Sequence, residues 1–275
     1  MSRPLATSTA LSPAWALPLH LLRTAWADQP FDALSSYVSG LAQSHLVEIV
    51  GEPVAGLADV GPAAGAVGML PDIVRHLRRV GASHPAAEIL SLLTTAPGDS
   101  SSLPPVPAVR ADVAEAGWGV LIRDPQSREG LCLTCVRPHV DVLRWRIRGV
   151  ADCPVAPQPA GPSEALYELG RAVVDAAELI ERSAAAQGVG AAGPIDVHAA
   201  ITRVPAGLPA RVLELVDRID RVEAITSLAL ARPGLGVDPA TREPILRRLV
   251  AVKDAARRSA VAAAGESALR EWGPR

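Results

Sequence analysis

Between residues 118 and 149 three short runs alternate apolar and polar side chains, and the connections between them are only turn-length. The runs are 118–123, 131–137 and 142–148, joined by Asp124-Pro125-Gln126-Ser127 and by Pro138-His139. Such short loops reverse the chain between antiparallel strands, whereas parallel neighbours need a crossover of about a dozen residues or more. The segment therefore predicts an antiparallel meander, and with it a sheet in a chain whose other periodic segments read mostly as helices.

The rest of the chain supplies material to cover that sheet. With 275 residues and 49% apolar content it buries a sizeable core without a disulfide or metal staple. Residues 17–27 and 30–43 read as helices, and 46–50 as a short strand leading into a Gly/Ala/Pro-rich stretch over 51–68. A helix over 71–80 follows, with Pro71 in its first turn and Gly81 as its stop. Residues 88–94 read as a buried strand ending in the turn Ala96-Pro97-Gly98-Asp99, and 107–116 as a helix entering the meander.

After a proline- and alanine-rich linker over 151–162, three long amphipathic helices are expected. The first covers 163–183, with Leu166, Leu169, Val173 and Ile180 on its buried stripe, and the second covers 209–231. The third starts near Thr241 as cap, with Pro244 in the first turn. The predicted fold class is α+β: an α+β region over 1–155 whose sheet contains the meander, then a helical region over 156–275, packed as a bundle or as a layer on the first.

Composition excludes several classes of function. Lys253 is the only lysine and Phe31 the only phenylalanine, while alanine, glycine and proline abound. High-GC coding explains this, so arginine is the default cation and no evidence of phosphate recognition. Net charge is −2, and the balance argues against a nucleic-acid binder, which carries a basic surplus on some module. Three cysteines are too few and too closely spaced for a secreted disulfide scaffold, which predicts a reducing cytoplasm. No apolar run approaches the ~20 residues that span a bilayer, so no membrane partner is expected. Residues 14–22 followed by Ala25-Trp26-Ala27 have the outline of an export signal. Pro18, His20 and Arg23 interrupt it, and Trp15, Leu19, Leu22 and Trp26 share one helical stripe, so an amphipathic first helix is the reading adopted.

Three features could carry chemistry. Cys132 and Cys135, with His139 and Cys153 downstream, have the donor types of a zinc site in the spacing C-x2-C-x3-H-x13-C. In a regular strand, however, Cys132 and Cys135 point to opposite faces, which favours buried thiols packed as small apolar groups and predicts no cofactor. Arg144, Arg146 and Arg148 alternate with Leu143, Trp145 and Ile147, placing three guanidinium groups on one face at ~6.8 Å steps. Such a stripe suits an anion or nucleic-acid phosphates, and equally a solvated face paired with Asp or Glu on a neighbouring strand. Asp99 ends a buried strand, where α/β proteins often place functional residues, and it also suits a turn. The glycines over 51–68 match no phosphate-loop spacing, and there is no H-E-x-x-H or G-x-S-x-G motif.

The turn Ala96-Pro97-Gly98-Asp99, the segment Ala114-Glu115-Ala116-Gly117, Leu143-Arg144-Trp145-Arg146 and the helix after the linker together resemble a family of uncharacterised actinobacterial proteins. The resemblance covers about the middle half of the chain. It implies a high-GC Gram-positive source and transfers no activity and no site residue. The function expected is a non-catalytic binding or regulatory protein that self-associates or engages a protein partner. A zinc-dependent or nucleotide-using enzyme, and an anion or nucleic-acid binder using the arginine stripe, are the alternatives.

Overall fold

The computed structural model describes residues 12–51, 65–81, 84–95, 103–151, 153, 157–187, 201–231 and 239–273. The chain is an α+β protein. After a 3-10 turn over Ser12–Ala16 come α1 (Leu17–Trp26), α2 (Phe31–Ser39), β1 (Ser44–Val50), α3 (Gly65–Gly81), α4 (Ala86–Ile89) and β2 (Leu90–Thr94). They are followed by α5 (Pro107–Ala116), β3 (Trp118–Arg123), β4 (Gly130–His139), β5 (Val142–Val150), α6 (Pro162–Gln187), α7 (Ala210–Ala231) and α8 (Pro239–Trp272).

The five strands form one sheet in the order β1-β5-β4-β3-β2. The meander is as read from the sequence: β3 pairs antiparallel with β4, and β4 with β5, with an irregularity between Val136 and His139. β2 extends it antiparallel beyond β3. β1 closes the other edge parallel to β5, setting Val47 opposite Trp145 and Glu48 opposite Arg146.

Strict alternation sorts the side chains of the sheet into two apolar clusters. Trp118, Val120, Leu131, Leu133, Cys135, Leu143, Trp145 and Ile147 join the main core with residues of α1, α3 and α8. On the other face Leu93, Leu121, Cys132 and Val150 pack under Val109 and Val113 of α5, together with Cys153. The sheet thus lies between α5 on one side and a thick helical layer on the other.

All ten residues of α1 are buried. The segment with the outline of an export signal is therefore the central helix of the core. Its Trp26 donates from Nε1 to the Leu77 carbonyl at 3.0 Å, and it lies so close to Gly81 that a Cβ there would stand 2.4 Å from Nε1. α3 ends at Gly81 as the sequence suggests, and the same glycine permits this close approach.

The second half of α8 is buried on several sides, through Ser259, Ala260, Val261, Ala264, Gly265 and Ala268. Small side chains allow α1, α4 and β2 to crowd it there; a Cβ on Gly265 would meet Ala86 Cβ at 2.7 Å. Its first half packs along α6 and α7. The main cluster runs without a break from Trp15 to Ala268, so the helical region and the sheet share one core. Polar ties cross the same boundary: Arg23 pairs with Glu271 at 2.7 Å, and His20 bonds the Arg203 carbonyl at 3.1 Å.

Several boundaries depart from the sequence reading for identifiable reasons. α3 starts at Gly65, not Pro71, because burial of Ala66, Met69 and Leu70 carries a helix through small residues and past an interior proline. Residues 86–89 form a helical turn, so the expected strand over 88–94 begins at Leu90. α2 ends at Ser39. α8 begins at Pro239, which leaves Thr241 inside the helix and Pro244 in its interior. Ile180, expected on the buried stripe, is 42% exposed. Asp99, and residues 52–64 of the glycine-rich stretch, lie outside the described residues.

Candidate functional site

The arginine stripe is where charge concentrates on the sheet. Alternation in β5 sends Leu143, Trp145 and Ile147 into the core and leaves Arg144, Arg146 and Arg148 on the α5 face. Val109 and Val113 anchor α5 on that face, and a left-handed Gly117 at φ +79 ends the helix and turns the chain into β3. This anchoring brings Asp112 and Glu115 over the guanidinium groups. Arg146 donates from Nη1 to Asp112 Oδ1 at 2.7 Å and to Glu115 Oε2 at 3.0 Å, and from Nε to Glu48 Oε2 at 3.3 Å. Arg148 donates to Asp112 Oδ2 at 2.6 Å, and Arg144 to Glu115 Oε1 at 3.1 Å.

Three arginines thus face three carboxylates. Burial alone would lower the Arg146 pKa; its bonds to Asp112, Glu115 and Glu48 outweigh this and hold the proton more tightly than usual. A phosphate arriving here would have to displace a carboxylate from each guanidinium group it bound. The sequence reading anticipated pairing with a neighbouring strand, and Glu48 of β1 supplies that. The two acids of α5 were not foreseen, since nothing local in the sequence says which helix covers that face.

The four cysteine and histidine candidates do not come together. Cys135 lies in the main core and Cys132 in the cluster under α5, on opposite faces of β4. Cys153 joins Cys132's cluster, while His139 is exposed at the far end of β4. Burial pushes both Cys132 and Cys135 up to about 12, with Asp112 adding to the shift at Cys132. They are therefore thiols, not thiolates, at neutral pH. Among the described residues no group of three or more His, Cys, Asp or Glu is placed to hold a metal ion. These residues do not fit zinc.

Other features were not seen in the sequence. A cavity of about 250 Å³ lies between β2, residues 157–160, α6 and α8, with Leu90, Leu92, Ala165 and Val261 among its apolar lining and Glu164 and Glu168 among its acids. It is smaller than the ~300–1,000 Å³ usual for small-molecule pockets, and its lining is of mixed charge, with Arg258 beside the two carboxylates. Between α7 and α8, Glu223 accepts from the buried Lys253 and, at 3.1 Å, from Arg257, which also bonds Asp254 and stacks over Trp15. Burial would raise the Glu223 carboxyl, but Arg257 and Lys253 outweigh it and hold it below the usual range. The only hint in the sequence was that Lys253 is the single lysine. Arg123, also buried, donates to the Ala87 and Glu88 carbonyls at the end of α4, each at 2.7 Å.

The outer surface of α6 carries large apolar groups. Tyr167 is 66% exposed and Val174 is 56% exposed, one heptad apart, with Gly170 and Ala177 on the same face. On α7, Leu213, Ile225 and Leu230 are each at least two-fifths exposed.

Fold and candidate sites together define an α+β protein with a five-stranded mixed sheet and a long helical layer, whose polar clusters are paired internally and whose exposed apolar residues include Tyr167 and Val174 of α6, Leu46 and Ile49 of β1, and Val140 and Ile201 in loops. Comparison with protein families gives the assignment. Residues 22–162 match the Rv1486c-like protein N-terminal domain and residues 163–261 its C-terminal domain, so the chain belongs to the Rv1486c-like protein family. The two matches meet at the start of α6. No match was found among curated proteins or among solved structures. Among the described residues no helix is long and apolar enough to cross a membrane.

Proposed function

We propose that this chain is a non-catalytic binding or regulatory protein that acts through protein–protein contacts, with the outward face of its helical layer as the contact surface. The observation that carries this reading is the exposure of Tyr167 and Val174 on one face of α6. Isolated exposed apolar residues are ordinary, but an aromatic and a β-branched residue aligned one heptad apart on a long helix suit a partner helix.

The inward pairing of Arg144, Arg146 and Arg148 supports the same reading, since it leaves the stripe little free charge for an anion or nucleic acid. A cytoplasmic setting goes with it: Cys132, Cys135 and Cys153 are buried thiols that form no disulfide, as suits a reducing compartment.

Photo-crosslinking tests the proposal. A benzophenone side chain placed at Tyr167 in expressing cells is expected to give a discrete protein adduct, and the same group at the exposed loop residue Gln126 is expected to give none. Equal labelling at both positions, or none at either, contradicts the reading.

A further inference from the structure

The outward face of α6 also carries one pair of opposite charges, Arg171 and Glu178, that a two-fold axis can match to itself. Tyr167, Gly170, Val174 and Ala177 follow 3-4-3 spacing, the seam of a paired helix, and nothing lies within 4 Å of a Cβ built on Gly170. Arg171 and Glu178 flank this seam on one side, and both are exposed. Seven residues separate them, about 10.5 Å along the helix, so they cannot satisfy each other. Among the described residues neither side chain has an ion-pair partner, in contrast to Asp175 on the inner side, which Arg248 of α8 holds at 2.7 Å.

We infer that α6 pairs antiparallel with α6 of a second copy of this chain, about a two-fold axis near the middle of the helix. A two-fold contact is isologous: if residue i meets residue j, then j meets i. Centring the axis on the 26-residue helix overlaps the two copies along nearly its whole length. In that register each Arg171 comes against Glu178 of the other copy, twice by symmetry, while Val174 packs against Ala177 across the seam. Sliding the helices by one heptad toward their N-termini would set Arg171 against Arg171, so the Arg171–Glu178 pair disfavours that shift. The missing side chain at Gly170 gives room for close approach.

This rests on the protein-contact reading above and names the occupant. Light scattering on the purified chain and four charge variants tests it, with thermal melting to confirm that each variant folds. Wild type is expected to be a dimer. Arg171→Glu and Glu178→Arg, each alone, should weaken dimerisation on the order of a hundredfold. The double variant Arg171→Glu/Glu178→Arg should restore it, and an equimolar mixture of the two single variants should form a heterodimer. A monomeric wild type, a dimer indifferent to the single changes, or failure of the double variant to recover would each overturn the inference. If the Tyr167 photo-adduct in cells contains a different protein while the pure chain is monomeric, the second copy is wrong and the protein-contact reading stands.

Discussion

Asp112 of α5 and Arg146 of β5 meet at 2.7 Å, and the same carboxylate bonds Arg148 at 2.6 Å through its other oxygen. One acid with 6% side-chain exposure therefore holds two arginines that stand two residues apart on a strand. Asp112→Ala should cost about 3 kcal/mol in urea unfolding, because it leaves two partly buried cations facing each other. Glu115→Ala, at a more exposed site, should cost less than about 1 kcal/mol. Combining Asp112→Ala with Arg148→Gln should cost less than the sum of the two single changes, since the residues share one network.

Gly81 and Gly170 are both helical glycines, yet opposite results are expected from alanine at each. Gly81→Ala drives a methyl into the Trp26 indole and should destabilise by about 1–3 kcal/mol. Gly170→Ala meets nothing and should stabilise the monomer by up to about 1 kcal/mol through helix propensity. Paired thermal melts of the two variants, at concentrations dilute enough to hold the chain monomeric, check this contrast.

His20 confers an acid sensitivity whose sign follows from its burial. It stacks on Tyr37 at 3.9 Å, donates from Nε2 to the Arg203 carbonyl and accepts at Nδ1 from Gln29 at 3.3 Å, the arrangement of a neutral ring. Burial lowers its pKa from 6.5 to about 4, against a smaller raising effect of the Arg203 bond. The unfolded chain takes up this proton below about pH 6.5 and the folded chain does so only near 4, so stability falls as pH drops through that window. The full effect is about 3 kcal/mol. Urea midpoints measured from pH 7.5 down to 4.5 should fall for wild type and flatten for His20→Phe, beyond the shared effect of His45 and His76, which burial also lowers.

The three cysteines should behave as core residues. With Cys132 and Cys135 raised to about 12, and Cys153 buried, a thiol reagent at pH 7.5 should label the native chain only at the rate of opening, and immediately in denaturant. Fast labelling of the native chain at any of the three would contradict this placement.

Local periodicity made the meander legible: Trp118, Leu131 and Trp145 belong to runs of period two joined by short turns, and the divergence of Cys132 from Cys135 follows from the same alternation. The amphipathic stripes of α6 to α8 were likewise on the surface of the sequence. What alternation cannot supply is the identity of a distant partner. β1 lies parallel to β5 across roughly a hundred residues, and Asp112, Glu223 and Gly265 acquire their roles only when a remote helix arrives. Pro71 and Pro244 misled because local signals place prolines at helix starts, whereas tertiary burial carries both helices through them. On α6 the buried stripe at Leu169 was seen, and the exposed face next to it, at Tyr167 and Val174, was not.

Sedimentation velocity, with the chain fluorescently labelled at its N-terminus and followed both in buffer and in cell extract, tests the protein-contact account most directly. The account predicts a species larger than one chain in at least the extract, reduced to a monomer by Tyr167→Glu/Val174→Glu without loss of folding. A chain that sediments as a monomer in both settings, or a complex that the two substitutions leave intact, would contradict it.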